Sequence, residues 1–294
     1  RLLQGLLTGT ITACTALISA SSPSKKMGFS LGLLQTGIFL GIFLGPLLGG
    51  ISADILGLRN SFRITATLPF FSGWLIFFLV EEKFTPSNTK KNIIPFKKMM
   101  ALILNHKQLL VMFIILFLVH FSVKTISPIL ALFVETIVSD PKNISTLTGL
   151  MFALTGLTAA FSAVNIGKLI EKKPSISTPL LMVSLIGTGF FFLPQGFVTN
   201  IIQLALLRLC LGLFYGAIVP IANTIISLST PSQHRGKVFG LANSNTFLGN
   251  FLGPITGGFL MVTFNISVVF VFTASILLLA GSVLPIVLKK IKNS

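Results

Sequence analysis

A chain of 294 residues, 53% hydrophobic and only 10% charged, with mean hydropathy +0.94, is too apolar for a soluble domain, in which roughly 25% of residues carry charge. Its net charge of +16 would suggest a nucleic-acid partner in a soluble protein; among apolar runs of membrane length it reads instead as the loop bias that orients membrane proteins. Two cysteines, Cys14 and Cys210, lie in apolar runs, and the three histidines are scattered, so no disulfide framework, metal site or cofactor is expected and no nucleophile–base pair marks an enzyme.

In chain order, nine runs reach the roughly 20 residues that a membrane helix needs: about 2–20, 30–52, 62–80, 109–134, 146–166, 177–194, 200–228, 238–262 and 266–288. None alternates as a barrel strand does. The expected fold is an all-α membrane protein of nine transmembrane helices. Residues 1–80 form part of a first bundle, 81–108 a cytoplasmic linker and 109–294 a second bundle of six helices. Within the linker, residues 96–104 have the pattern of a short surface helix or a solvated tether.

Charge placement supports this count. If the Lys25/Lys26 loop is cytoplasmic, 16 of the 22 Lys and Arg fall on that side; Arg59, Arg63 and Lys142 fall on the other, and Arg1, Lys124 and Arg208 lie within spans. The C-terminus is then cytoplasmic.

The chain also repeats itself. From Phe39 to Gly50, every residue equals the one 208 positions later except at 42, 47 and 48, so Gly41, Gly45, Pro46, Gly49 and Gly50 pair with Gly249, Gly253, Pro254, Gly257 and Gly258. Arg1, Gly5 and Gly9 pair with Arg208, Gly212 and Gly216 at a spacing of 207. Glycines four apart form a stripe on a helix that lets a neighbour approach backbone to backbone, as helices do in lipid. Long-period repeats of spans are typical of secondary transporters that bind substrate between two halves. A period of six spans predicts three more ahead of Arg1, so the sequence is expected to be N-terminally truncated.

Charges inside a span are costly and are functional candidates. Lys124 and His120 are one helical turn apart and are expected to line a cavity, where a histidine titrates near neutral pH; the structural alternative is a lysine reaching toward the headgroups. Arg1 and Arg208 are candidates of the same kind. Asn223, Gln35, Asn243, Asn245 and Asn250 are uncharged polar residues in spans that contact substrate or bond across helices. None of the six acids, Asp54, Glu81, Glu82, Glu135, Asp140 and Glu171, falls mid-span.

These motifs resemble those of the major facilitator superfamily, and in particular its twelve-helix drug:proton antiporters. Arg1-x-x-Gln4-Gly5-x-x-x-Gly9 is similar to the fourth-helix motif. Gly41-x-x-x-Gly45-Pro46-x-x-Gly49-Gly50 matches the fifth-helix antiporter motif at every defined position. Gly167-Lys-Leu-Ile-Glu171-Lys172-Lys173 resembles the second-half copy of the cytoplasmic gating loop, with Glu for Asp and Pro174 where Gly is usual. Ser127-Pro128 is similar to the proline motif that opens each half. A second match to the gating loop, Gly50-x-x-Ala53-Asp54-x-x-Gly57-x-Arg59, conflicts with the charge count, which puts Asp54 outside.

The resemblance covers the whole chain as helices four to twelve. It implies a monomeric secondary transporter in the lipid bilayer of a bacterial-type inner membrane, exporting small hydrophobic or amphipathic molecules in exchange for protons and binding no nucleic acid. It assigns Arg1 and Gln4 to proton transfer, or Arg1 to tuning a nearby carboxylate. A proton carboxylate would then lie in the expected upstream helices, unless His120 substitutes. The rivals are a sugar or metabolite proton symporter or facilitator, a non-transporting remnant and a membrane assembly factor.

Overall fold

The computed structural model describes residues 10–22, 26–79, 100, 103–138, 143–231 and 234–292. Among them it is helical, with no strand: α1 (Thr10–Ser21), α2 (Met27–Leu56), α3 (Leu58–Leu79), α4 (Lys107–Ile126), α5 (Ile129–Ile137), α6 (Ile144–Lys172), α7 (Ser177–Phe192), α8 (Ile201–Leu228), α9 (Arg235–Thr263) and α10 (Ile266–Lys292). Eight helical stretches of the described residues are long and apolar enough to cross a membrane. The ninth expected span, 2–20, is described only from Thr10, as α1. Most of the linker 81–108 lies outside the described residues.

Breaks fall where the backbone demands them. Gly57, with φ +78°, ends α2; that left-handed conformation favours a residue without Cβ. The expected single span 109–134 is instead two helices, interrupted at Ser127-Pro128. Pro128 has no N–H to give the carbonyl of Lys124, and its ring crowds that carbonyl.

The internal repeat is visible in the helix ends. Shifted by 208, α2 begins where α9 begins, and shifted by 207, Ser21 at the end of α1 falls on Leu228 at the end of α8. The two copies pack differently, however. In the second copy, α9 lies along α4 in parallel. An added Cβ at Gly249 would sit 2.8 Å from the Phe117 carbonyl oxygen and one at Gly253 2.7 Å from that of Phe121, while one at Gly257 would strike the Thr125 carbonyl. Asn245 extends the line by donating its amide to the Phe113 carbonyl at 2.6 Å.

In the first copy, Cβ atoms at Gly37, Gly41, Gly45 and Gly49 would meet nothing within 4 Å among the described residues. Among the described residues, no neighbour fills the seam expected along that stripe.

α2 uses another face, and this makes the most extensive helix contact in the described structure, α2 against α6. The two run antiparallel. A Cβ on Gly32 would lie 2.7 Å from the Ala163 carbonyl oxygen, one on Gly50 2.6 Å from that of Ser145, and one on Gly149 2.6 Å from the Leu47 Cα. Between these points Thr36 Oγ1 donates to the Ala160 carbonyl at 3.3 Å. α6 also receives α8 on another face, where a Cβ at Gly216 would strike the Ala159 carbonyl and Ser162 Oγ donates to the Leu213 carbonyl at 2.6 Å. α6 is thus held on two sides through small residues. By contrast α3 presents residues 62–78 all exposed, as suits a helix facing lipid.

Gly257 and its neighbour Gly258 separate seam from surface. Gly257→Ala should lower the apparent melting temperature in detergent by about 3 °C or more, as overpacking against a backbone atom does. Gly258→Ala, where a Cβ meets nothing within 4 Å, should leave it unchanged or raise it. Equal effects of the two would contradict the seam.

Candidate functional site

Between the two copies lies a cavity of about 260 Å³. Its walls come from α1, α2, α4, α6, α8 and α9. The repeat explains its layout: Gln35, Ile38, Phe39 and Ile42 of α2 all line it, and so do their counterparts Asn243, Thr246, Phe247 and Asn250 of α9. Equivalent faces of equivalent helices therefore look at each other across the space. Their chemistry is not equivalent, since Ile38 and Ile42 face inward in one copy and Thr246 and Asn250 in the other.

The apolar side is completed by Pro46, Phe152 and Tyr215. Phe39 and Tyr215 pack ring on ring, with centroids 5.4 Å apart and planes tilted by 44°. The polar side holds His120 and Lys124 of α4 beside the amides of α9, with Asn223 on α8. His120 Nδ1 lies 2.9 Å from the Leu116 carbonyl oxygen. Only a protonated Nδ1 makes that bond, so Nε2 carries the lone pair of the neutral ring. Lys124 is positioned by the α4–α9 seam: an added Cβ on Gly253 would come 2.9 Å from the Lys124 Cβ. The glycine that brings the helices together also leaves room for the lysine stem. Asn250 Oδ1 is buried and has no partner among the described residues.

The prolines of the repeat sit beside this cavity. Pro46 and Pro254 follow the lining residues Ile42 and Asn250 by four positions, and Pro128 follows Lys124 by four. Each deprives a lining residue's carbonyl of its helical donor. The hydrogen-bond ladder is therefore interrupted in α2, at the end of α4 and in α9, all at the level of the cavity.

His120, Lys124 and Asn223 are thus brought to one cavity. Arg208 is placed elsewhere: it is 4% exposed on α8, outside the lining, and its Nε and Nη2 have no partner among the described residues. Arg1 and Gln4 lie outside the described residues. The loop motif ends α6: Gly167 is buried, with its Cα 3.6 Å from a Cβ built on Gly32. Glu171 is half-buried and Lys172 exposed in the last turn, where a cation complements the helix dipole. Nearby, Lys168 Nζ stands 5.4 Å from the centre of the Phe29 ring.

Two contacts had no signal in the sequence. Phe39, Phe152 and Tyr215 are ordinary apolar residues until the fold places them in one wall. Asp54 reaches across the α2–α6 interface, where its Oδ2 accepts from the Thr146 hydroxyl at 2.6 Å and from the Thr146 N–H at 3.2 Å. It caps the first turn of α6, whose leading N–H groups have no helical partner. The two residues are 92 apart in sequence, so no local pattern links them.

A family model described as Major Facilitator Superfamily matches residues 1–195 and again 146–293. The chain belongs to this superfamily. It is therefore a multi-pass integral membrane transporter of a family of transporters, not enzymes. Among its relatives is the multidrug resistance protein MdtG of Salmonella typhimurium, 35% identical over 278 residues, which cover 95% of this chain and 68% of MdtG. MdtG of Salmonella dublin gives the same figures. Among solved structures, the human organic anion transporter MFSD10 matches with TM-score 0.71 and 19% identity over 94% of this chain and 68% of its own. The Escherichia coli fucose:proton symporter FucP matches with TM-score 0.63 and 15% identity over 93% and 72%. At those identities the two structures speak for the fold alone.

Cavity access can be measured by thiol labelling after Cys14 and Cys210 are replaced by serine. Asn223→Cys should react with a small water-soluble thiol reagent. Thr273→Cys, fully buried on α10 away from the cavity, should not react in the folded protein. Equal reactivity at both would contradict a water-accessible cavity.

Proposed function

We propose that this superfamily member is an exporter of small hydrophobic or amphipathic compounds, coupled to protons, acting as a monomer in a bacterial-type inner membrane with its C-terminus in the cytoplasm. The observation that carries this reading is the cavity between the two copies, apolar on one side and bearing a histidine and a lysine on the other. The names of the MdtG relatives support efflux, and the loop charge bias supports the orientation.

In this reading residues 1–80 and 109–294 belong to two bundles joined by the cytoplasmic linker 81–108. The bundles rock about the cavity, exposing it to one side of the membrane and then the other. Opening requires α2 to part from α6. At the Asp54 end this releases the cap on α6, and at the other end it releases Lys168 from Phe29. His120 Nε2 is the site in the cavity that takes up and gives back a proton. Arg1 and Gln4 assist that transfer, and Arg208, the counterpart of Arg1 in the second copy, stabilises the alternate state.

The test is a susceptibility panel with the full-length gene in an efflux-deficient host. Expression should raise the inhibitory concentration of lipophilic compounds. Lys124→Ala should abolish or redirect that protection at unchanged protein level in the membrane. Unaltered protection by the variant, or none from the wild type, would reject this reading. Counterflow in proteoliposomes separates it from a sugar symporter, which would exchange sugars and leave lipophilic compounds unmoved.

A further inference from the structure

The glycine seam between α2 and α6 runs from Gly32 to Gly50, and a different polar contact stands at each end of it. At one end Asp54 Oδ2 accepts from the Thr146 hydroxyl at 2.6 Å and from the Thr146 N–H at 3.2 Å. Asn143, which precedes α6, makes no side-chain cap of its own. Asp54 therefore does from another helix what a capping residue does from its own. It accepts from the third N–H of α6 and puts negative charge at the positive end of the helix dipole. The pattern Gly50-x-x-Ala53-Asp54, which the charge count places outside, acquires a use in this way.

The bracing of the two ends also differs. Beside Asp54, a Cβ on Gly50 would lie 2.6 Å from the Ser145 carbonyl oxygen. Ser61 Oγ of α3 is 2.6 Å from Ser52 Oγ and donates to the Gly49 carbonyl at 3.4 Å. The carboxylate thus stands on a helix end tied to α6 and to α3. At the other end Lys168 Nζ lies 5.4 Å from the centre of the Phe29 ring. Lys168 is exposed, and Phe29 belongs to the first turn of α2, whose N-cap Lys26 makes no side-chain cap bond. A carboxylate that holds two hydrogen bonds outweighs a solvated cation over one ring.

We infer that Asp54 and Thr146 form an outer latch stronger than the Lys168–Phe29 contact at the inner end, so that the empty transporter rests with its outer end closed and its cavity facing the cytoplasm. This rests on the transporter reading and the orientation above, and adds to them the resting state of the cycle. Outward opening breaks the stronger contact and inward opening only the weaker.

The experiment uses the full-length protein with its native cysteines replaced and one reporter, Asn223→Cys, in right-side-out and inside-out membrane vesicles. A membrane-impermeant thiol reagent is applied without substrate. The parent should label faster from the inner face than from the outer. Asp54→Ala should raise the outer-face rate about fivefold, the scale of a lost helix cap. Thr146→Val should raise it too, and Thr146→Ser should not. Asp54→Ala combined with Thr146→Val should be no faster than Asp54→Ala alone, since both remove one contact. Lys168→Gln should raise the inner-face rate by only about twofold. If Asp54→Ala does not fold, Thr146→Val carries the test.

An unchanged outer-face rate in a folded Asp54→Ala or Thr146→Val protein overturns the inference and leaves the transporter reading standing. So does a larger shift from Lys168→Gln than from Asp54→Ala, or a parent that labels faster from the outer face. A reporter that reacts from neither face in any variant overturns both.

Discussion

Everything in this molecule depends on main chains that touch where side chains are missing. In water, helices associate because apolar surface leaves solvent; in lipid that drive is absent, and packing must come from close, complementary contact. Here the contact is made by Gly32, Gly50 and Gly149 between α2 and α6, and by Gly249, Gly253 and Gly257 between α9 and α4. In each case a Cβ would lie closer to a backbone atom of the facing helix than van der Waals contact allows. The first set joins the two copies of the repeat. The second orders one copy and holds the stem of Lys124 in place.

From that arrangement the cavity follows. Two related helices, α2 and α9, turn equivalent faces toward one space, so a repeated fold produces a central site. Divergence between the copies then supplies its chemistry. Where α2 has Ile38 and Ile42, α9 has Thr246 and Asn250, so the α9 face of the space is the more polar of the two. Prolines four residues beyond Ile42, Lys124 and Asn250 interrupt the helical ladders at the same depth. Helices with such interruptions bend more readily there than elsewhere, which suits a site that must open in two directions.

Much of this was legible in the residues. Apolar length marks membrane helices because lipid offers no other partner for the backbone, and the repeat at 208 marks α2 and α9 before any coordinates are seen. Lys124 and His120 stand out because charge is rare at that depth. Less legible was which glycines do the packing. The stripe Gly37, Gly41, Gly45, Gly49 is the more regular pattern, yet α2 meets α6 through Gly32 and Gly50, because spacing says that a face is bare and not which neighbour reaches it. Pro128 divided a span that hydropathy reads as continuous, since apolar residues run across the break. Asp54 and Thr146, and the wall made by Phe39, Phe152 and Tyr215, come from residues far apart in the chain and brought together only by the tertiary fold.

The most direct test is whether the α2–α6 contact is the joint that moves. With the native cysteines replaced, a cysteine pair at positions 54 and 146 should cross-link across that joint, and each single substitution serves as its control. Transport by the full-length protein should stop on cross-linking and recover on reduction. Transport that continues at the uncross-linked rate, with the bond formed, would show that α2 and α6 stay together through the cycle and contradict the account.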